Sequence, residues 1–242
     1  MIDLCDDATS VPRLRRGIPL AGRCASCKAF PMKTPKPPSP AGPPDETDPT
    51  QQPESLDACR RCDLWRRATQ AVPGEGKRRA RIMLVGEQPG DGEDLAGKPF
   101  VGPAGKLLDR ALADAGIPRD DVFITNAVKH FKWELRGKRR LHKTPGQREV
   151  QACMYWLERE LEQEQPAVVV ALGATALKAL LDDAHARLQE HFSKVSRHAG
   201  RMVLATWHPS YALRAPDTAT RERAYADIVA ALKHARTLAS GK

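Results

Sequence analysis

The sequence predicts an α/β fold: a three-layer α/β/α sandwich around a central, mostly parallel four-stranded sheet. Two observations predict it. From about Asp57 onward, short apolar runs rich in β-branched residues alternate with longer amphipathic stretches. Strand then helix, repeated, builds a parallel sheet, because each crossover must carry the chain back to start the next strand in the same direction.

The predicted strands are residues 81–86 (RIMLVG), 122–126 (VFITN), 167–172 (AVVVAL) and 202–206 (MVLAT). Each is short and bounded by Gly or polar residues, as strands buried on both faces should be. The predicted helices are 104–115, 145–164, 174–182 and 220–238. In the second, Val150, Cys153, Leu157 and Leu161 recur at helical spacing, and Thr144-Pro145 reads as an N-cap and first-turn pair. Active sites in such sheets lie at the carboxyl ends of the strands. That rule points to Gly86 onward, Asn126 onward, Gly173 and Trp207-His208.

The 242 residues suit one ordinary domain plus an appendage. Residues 1–55 hold 11 of the 20 prolines and show no sustained periodicity, so they read as a mostly disordered tail, with the folded domain over 56–242. No run of about 18 apolar residues suggests a membrane span, and the N-terminus lacks the apolar core of a secretory signal. The expected compartment is therefore the cytoplasm, and the expected state a monomer. The formal charge is +9, with 39 Lys and Arg against 30 Asp and Glu. That surplus favours a polyanionic partner without requiring one. Six cysteines include the pairs Cys24-x-x-Cys27 and Cys59-x-x-Cys62, a spacing that outside oxidising compartments suggests metal or cluster binding.

Three segments carry candidate chemistry. Residues 86–105 (GEQPGDGEDLAGKPFVGPAG) hold six glycines and three prolines directly after the first strand. Such a backbone lets a flat ligand approach main-chain N–H groups. Neither a phosphate-binding Gly-Lys-Ser/Thr nor a dinucleotide GxGxxG register is present. The acids Glu87, Asp91, Glu93 and Asp94 could act as bases or hold a metal, or could simply be solvated. Residues 206–211 (TWHPSY) fix His208 at a strand end, where it can donate into a cleft or serve packing alone. Asn126, also at a strand end, offers the donor and acceptor that match a pyrimidine's edge.

Together, GEQPG…GKPFVGPAG, ITNAVK and WHPS resemble the uracil-DNA glycosylase superfamily, and specifically its family 4 iron–sulfur members, over the chain from about Cys59 onward. The resemblance implies that uracil-containing DNA, single- or double-stranded, is the partner. It implies that Phe100 stacks on a flipped base and that Asn126 reads the uracil edge. His208 would stand beside uracil O2, with Gln88, Gly90 and Asp91 lining the pocket. Residues 129–143 (KHFKWELRGKRRLHK) carry seven Lys or Arg and one acid. The stretch RGKRRLHK within them resembles the signature loop of the UdgX-type subgroup, in which a loop histidine becomes attached to DNA. The matching residue is His142, with Glu87 to position it or accept its proton. Lys138, Arg139, Arg140, Lys143 and Ser210 would contact DNA, with Arg139 and Arg140 gripping phosphates or the loop itself. Otherwise His142 is one more phosphate contact. The family's [4Fe–4S] cluster would here be held by Cys59, Cys62, His130 and Cys153, with histidine where the family has a cysteine. A C-x-x-C would equally suit zinc, and Cys153 alone would pass as a core thiol.

Overall fold

The structure is a computed structural model that describes residues 47–241. The proline-rich segment up to residue 46, with Cys5, Cys24 and Cys27, lies outside the described residues. Of the expected tail, residues 47–55 are described. The Asp48 N–H donates to the Arg60 carbonyl, and Gln51 Oε1 accepts from the Arg60 N–H, so this stretch is tied to the Cys59–Cys62 segment.

Four parallel strands form the middle of the sheet: β2 (Ile82–Gly86), β3 (Val122–Asn126), β6 (Val168–Leu172) and β8 (Arg201–Thr206). These are the four the sequence predicts, within a residue or so at each end. Two short antiparallel edge strands, β1 (Glu75–Gly76) and β7 (Ser196–His198), extend the sheet to the order β1-β3-β2-β6-β8-β7. Both were missed because two or three residues carry no measurable period.

Strand residues alternate between two cores, which is why the strands read as continuous apolar runs. Ile82, Leu84, Ile124 and Val170 face α2 (Pro103–Asp114) and α6 (Thr218–Ala239), where Leu108, Leu112, Ile228 and Leu232 meet them. Met83, Val85, Phe123 and Val169 face α3 (Gln147–Glu164) and α4 (Ala174–Leu181), meeting Leu157, Leu161 and Leu177. Helices on both faces make the expected α/β/α sandwich. Burying each such side chain stabilises the fold by about 1.5–3 kcal/mol.

Helix ends depart from expectation by local chemistry. The cap of α3 is Gly146 rather than Thr144, because the Glu149 carboxylate accepts from the Gly146 N–H at 2.5 Å. In α6 the cap is Asp217, which accepts from Thr220 N–H at 2.8 Å and starts the helix two residues early. Two short helices were not expected: α1 (Asp91–Ala96), inside the Gly-rich segment, and α5 (Pro209–Arg214), after His208. The basic segment is also ordered. It forms a second, two-stranded sheet, β4 (Trp133–Arg136) paired with β5 (Arg139–His142). Gly137, at φ +62°, opens its two-residue turn.

Among the described residues, no helix is long and apolar enough to cross a membrane.

Candidate active site

The chain passes from β2 to β3 on one side and then to β6 and β8 on the other, so the strand order reverses beside β2. A crevice opens at such a reversal, beyond the carboxyl ends of the strands. Here it is a cavity of about 540 Å³, and each parallel strand delivers a residue to it: Glu87 after β2, Asn126 ending β3, Gly173 after β6 and His208 after β8.

Asn126 and Phe100 form one wall. Both are buried, and among the described residues the Asn126 Oδ1 has no hydrogen-bond partner. A buried acceptor left unpaired is costly, and the cost is recovered when a ligand donor fills it. Gly86 makes room for the pair: a Cβ there would lie 2.3 Å from Asn126 Oδ1 and 2.7 Å from the Phe100 ring. Phe100 itself sits at φ +56°, in the left-handed region that bulky residues avoid. Strain of this kind concentrates at functional sites. The Phe100 and His208 ring centroids lie 5.8 Å apart, so the two rings are direct neighbours in the cavity lining.

His208 is held in one protonation state. Its Nδ1 accepts the Ser210 N–H at 3.2 Å and lies 2.7 Å from the Ser210 hydroxyl. With Nδ1 as acceptor, the ring proton belongs on Nε2. Burial pushes His208 down to about 4, outweighing the opposing pull of Glu87, so the ring is neutral near pH 7. Gly173, at φ +95°, lets the β6–α4 turn pass the His208 Cβ; a side chain there would come to 3.1 Å.

The opposite wall is the end of the hairpin. His142 Nε2 lies 3.1 Å from Glu87 Oε1, and Thr175 donates its hydroxyl to the other carboxylate oxygen. Burial alone would raise the Glu87 carboxyl, but the hydrogen bonds from His142 and Thr175 prevail and hold it below its usual range. His142 keeps 47 % of its side chain exposed, facing the cavity mouth.

Several expected residues lie at the site but are otherwise engaged. The Gln88 side chain lies under the hairpin, donating to the carbonyls of Lys132 and Lys143 and accepting from Lys132 N–H. Gly90 lines the cavity, yet its N–H is taken by Glu93. Asp91 is half-exposed at the rim and pairs with Arg140 at 2.6 Å. Arg140 also reaches the fully buried Asp94 at 2.6 Å, so it pins the hairpin rather than presenting a free cation to phosphate. Asp94, which additionally accepts from Thr69, is structural for the same reason. Ser210 spends its hydroxyl on His208 and Arg214. Lys138 and Arg139 stand exposed at the hairpin tip, and Lys143 pairs with Glu134 on the surface. Sequence reasoning missed Thr175, whose contact with Glu87 spans 88 residues and leaves no local signal.

The three expected cysteine ligands lie near one another at another corner. Cys62 and Cys153 pack with Leu64 and Val128, and Cys59, Cys62 and Cys153 are all free thiols. Burial raises Cys62 to about 11 and Cys153 to about 12, and the neighbouring cysteines add to the rise, while the Lys129 charge and N–H pull Cys153 the other way. Burial, reinforced by Arg60, pushes His130 down to about 4, leaving a neutral imidazole with a lone pair. Among the described residues, no three His, Cys, Asp or Glu side chains converge as a single metal ion would require. Thiols are the donors an iron–sulfur cluster takes, and His130 follows Lys129, whose N–H donates to Cys153 Sγ.

Fold and site thus define a three-layer α/β protein with a pocket at the carboxyl ends of its parallel strands. The uracil-DNA glycosylase superfamily model matches residues 73–233. The chain is 39% identical over 176 residues to a type-4 uracil-DNA glycosylase of Thermotoga maritima, covering 72% of this chain and 88% of that protein. It is 40% identical over 171 residues to the type-4 enzyme of Pyrobaculum aerophilum, covering 67% and 83%. With that of Sulfurisphaera tokodaii the identity is 37% over 176 residues, covering 68% and 75%. The chain belongs to the uracil-DNA glycosylase superfamily, with type-4 enzymes among its relatives.

Proposed function

We propose that this chain flips uracil out of DNA, cleaves the bond from uracil N1 to sugar C1′, and is then captured at C1′ through His142. The observation that carries this reading is that one cavity holds both the unpartnered Asn126 Oδ1 and the His142–Glu87 pair. The names of the type-4 relatives support the glycosylase step.

Flipping costs a few kcal/mol, and stacking on Phe100 with hydrogen bonding to Asn126 offsets it. Asn126 Oδ1 accepts the uracil N3–H. As the C1′–N1 bond breaks, its electron pair leaves with the base, and charge grows on O2. The His208 Nε2–H donates there, already aimed and neutral, so the oxygen is stabilised without a proton having to move first. The sugar is left as an oxocarbenium ion. A lone pair of the His142 ring then forms the bond to C1′, and Glu87 can accept the remaining ring proton. Held close, the imidazole competes with water through orientation alone. An N-alkylated imidazole is a poor leaving group, so the product stays bound.

Lys138, Arg139 and Lys143 would neutralise flanking phosphates, and Arg140 would serve by fixing the hairpin. Cys59, Cys62, His130 and Cys153 would hold a [4Fe–4S] cluster whose contribution is structural, joining the segment before β1 to β3 and α3. We assign the glycosylase unit to residues 56–242.

A second reading, ordinary multiple-turnover hydrolysis, is favoured by the exposure of His142, which leaves water a path to C1′. Incubation with a uracil-containing single- or double-stranded oligonucleotide, followed by a denaturing gel, separates the two. Capture predicts a heat- and detergent-stable band absent with a thymine control. Hydrolysis predicts only an alkali-labile abasic site. An intact oligonucleotide from folded protein would sink both.

A further inference from the structure

Beside the pocket wall lies a buried charge that the chemistry above does not use. Lys129 is fully buried. Its ammonium spends all three donors, on Thr125 Oγ1 at 2.6 Å, the Asn126 carbonyl at 2.8 Å and Glu160 Oε2 at 2.6 Å. Glu160 in turn accepts from the Thr125 hydroxyl at 2.7 Å and from Gly74 N–H at 2.9 Å. The Lys129 main chain is also held: its N–H donates to Cys153 Sγ at 3.2 Å and its carbonyl accepts from Val72 N–H at 2.8 Å.

An ion pair taken out of water gains little net stability over apolar side chains of the same volume. A lysine here therefore needs another reason, and the Asn126 geometry supplies one. Among the described residues, the Asn126 Oδ1 has no partner to aim it. Its direction follows from where the backbone of Asn126 sits, and the Lys129 ammonium grips that backbone at the carbonyl.

We propose that Lys129 is a positioning residue for base reading: it orients the Asn126 amide toward the pocket and, through its N–H on Cys153, ties that amide to the cysteine corner. The inference rests on the glycosylase reading for its consequence in catalysis, but its geometric core does not. Lys129→Met keeps length and removes the charge; Glu160→Gln keeps shape and removes the counter-charge.

The test uses full-length protein and single-turnover excision from a uracil oligonucleotide by the wild type, Lys129→Met, Asn126→Ala and the double variant. Lys129→Met should lose about tenfold to a hundredfold in rate, as expected for a misplaced contact. The double variant should be no slower than Asn126→Ala, because two residues serving one contact are non-additive. A merely structural lysine would instead give losses that multiply, and that result overturns the proposal. The second readout needs no activity: the side-chain amide resonances of Asn126 in the free protein should shift in Lys129→Met. Unchanged resonances overturn the proposal too. Should Lys129→Met fail to fold, Glu160→Gln is read by the same two measurements with the same outcomes. A wild type that leaves uracil intact would sink the glycosylase reading alone, and the resonances would still decide this one.

Discussion

The two walls of the cavity are built in opposite ways. The wall of Asn126, Phe100 and His208 stands on the ends of buried parallel strands or in the loops beside them; Asn126 and Phe100 are almost inaccessible, and the His208 ring is fixed by Ser210. The wall that carries His142 is an exposed two-stranded hairpin, attached by Gln88 at its base, by Arg140 to Asp91 and Asp94, and by Trp133, whose indole N–H donates to the Arg67 carbonyl. On the proposed function, the difference makes recognising the base and deciding the fate of the sugar separable tasks. The first demands preorganisation in the core, and the second can be added on a pinned appendage.

That separation can be broken from either side. The largest expected effect is on the core wall. Asn126→Ala should slow uracil excision by about a hundredfold to a thousandfold, since it removes a preorganised hydrogen-bond partner of the base. Capture should slow with it, because the oxocarbenium ion forms only as fast as the base is released. Single-turnover kinetics with a labelled oligonucleotide check both. Next comes Arg140→Ala, which frees the hairpin while leaving the strand-end residues in place. Capture should slow by about tenfold to a hundredfold, while excision changes by only a few-fold. Equal losses in the two steps would mean that the hairpin serves base recognition as well.

Smaller effects follow at the surface. Lys138→Ala or Arg139→Ala should weaken DNA binding uniformly across sequences and lower the log–log salt slope by about 1. Fluorescence anisotropy at several salt concentrations would show it, and an unchanged slope would remove that residue from the phosphate contacts.

The contrast also has a pH signature. His208 is pushed from its ordinary 6.5 to about 4 by burial. The folded state therefore disfavours the proton, and the stability from this group is complete above about pH 6.5 and lost as pH falls toward 4. The loss is about 3 kcal/mol at most. Denaturant titrations of wild type and His208→Asn should diverge along this acid limb and run parallel above pH 7. His130 has the same sign, so the difference between the two proteins is the quantity to read.

The same two walls differ in how legible they were. The strands showed because both their faces are apolar, as in Met83 and Leu84, and the pocket followed from where those strands end. The hairpin did not show. Trp133 and Leu135 alternate with charged residues in WELR, but four residues are too short a run to mark a strand, and its partner RRLH shows no such alternation. Helix α1 was hidden by glycines that the sequence offers equally to a loop, until Glu93 closed its first turn on Gly90. Arg140 read as gripping either phosphates or the loop itself, and the choice falls to the loop through Asp91 and Asp94, which lie more than 40 residues away and become visible only in three dimensions.

The central claim is that His142 receives the sugar. Intact-protein mass spectrometry after incubation with a uracil-containing single-stranded oligonucleotide tests it directly, with the wild type and His142→Ala side by side. The account predicts that the wild type gains the mass of the oligonucleotide less uracil, mapped by digestion to the peptide containing His142, and that His142→Ala gains nothing while still excising the base. A wild type that excises uracil and keeps its own mass, or a His142→Ala protein that still forms the adduct, would contradict it.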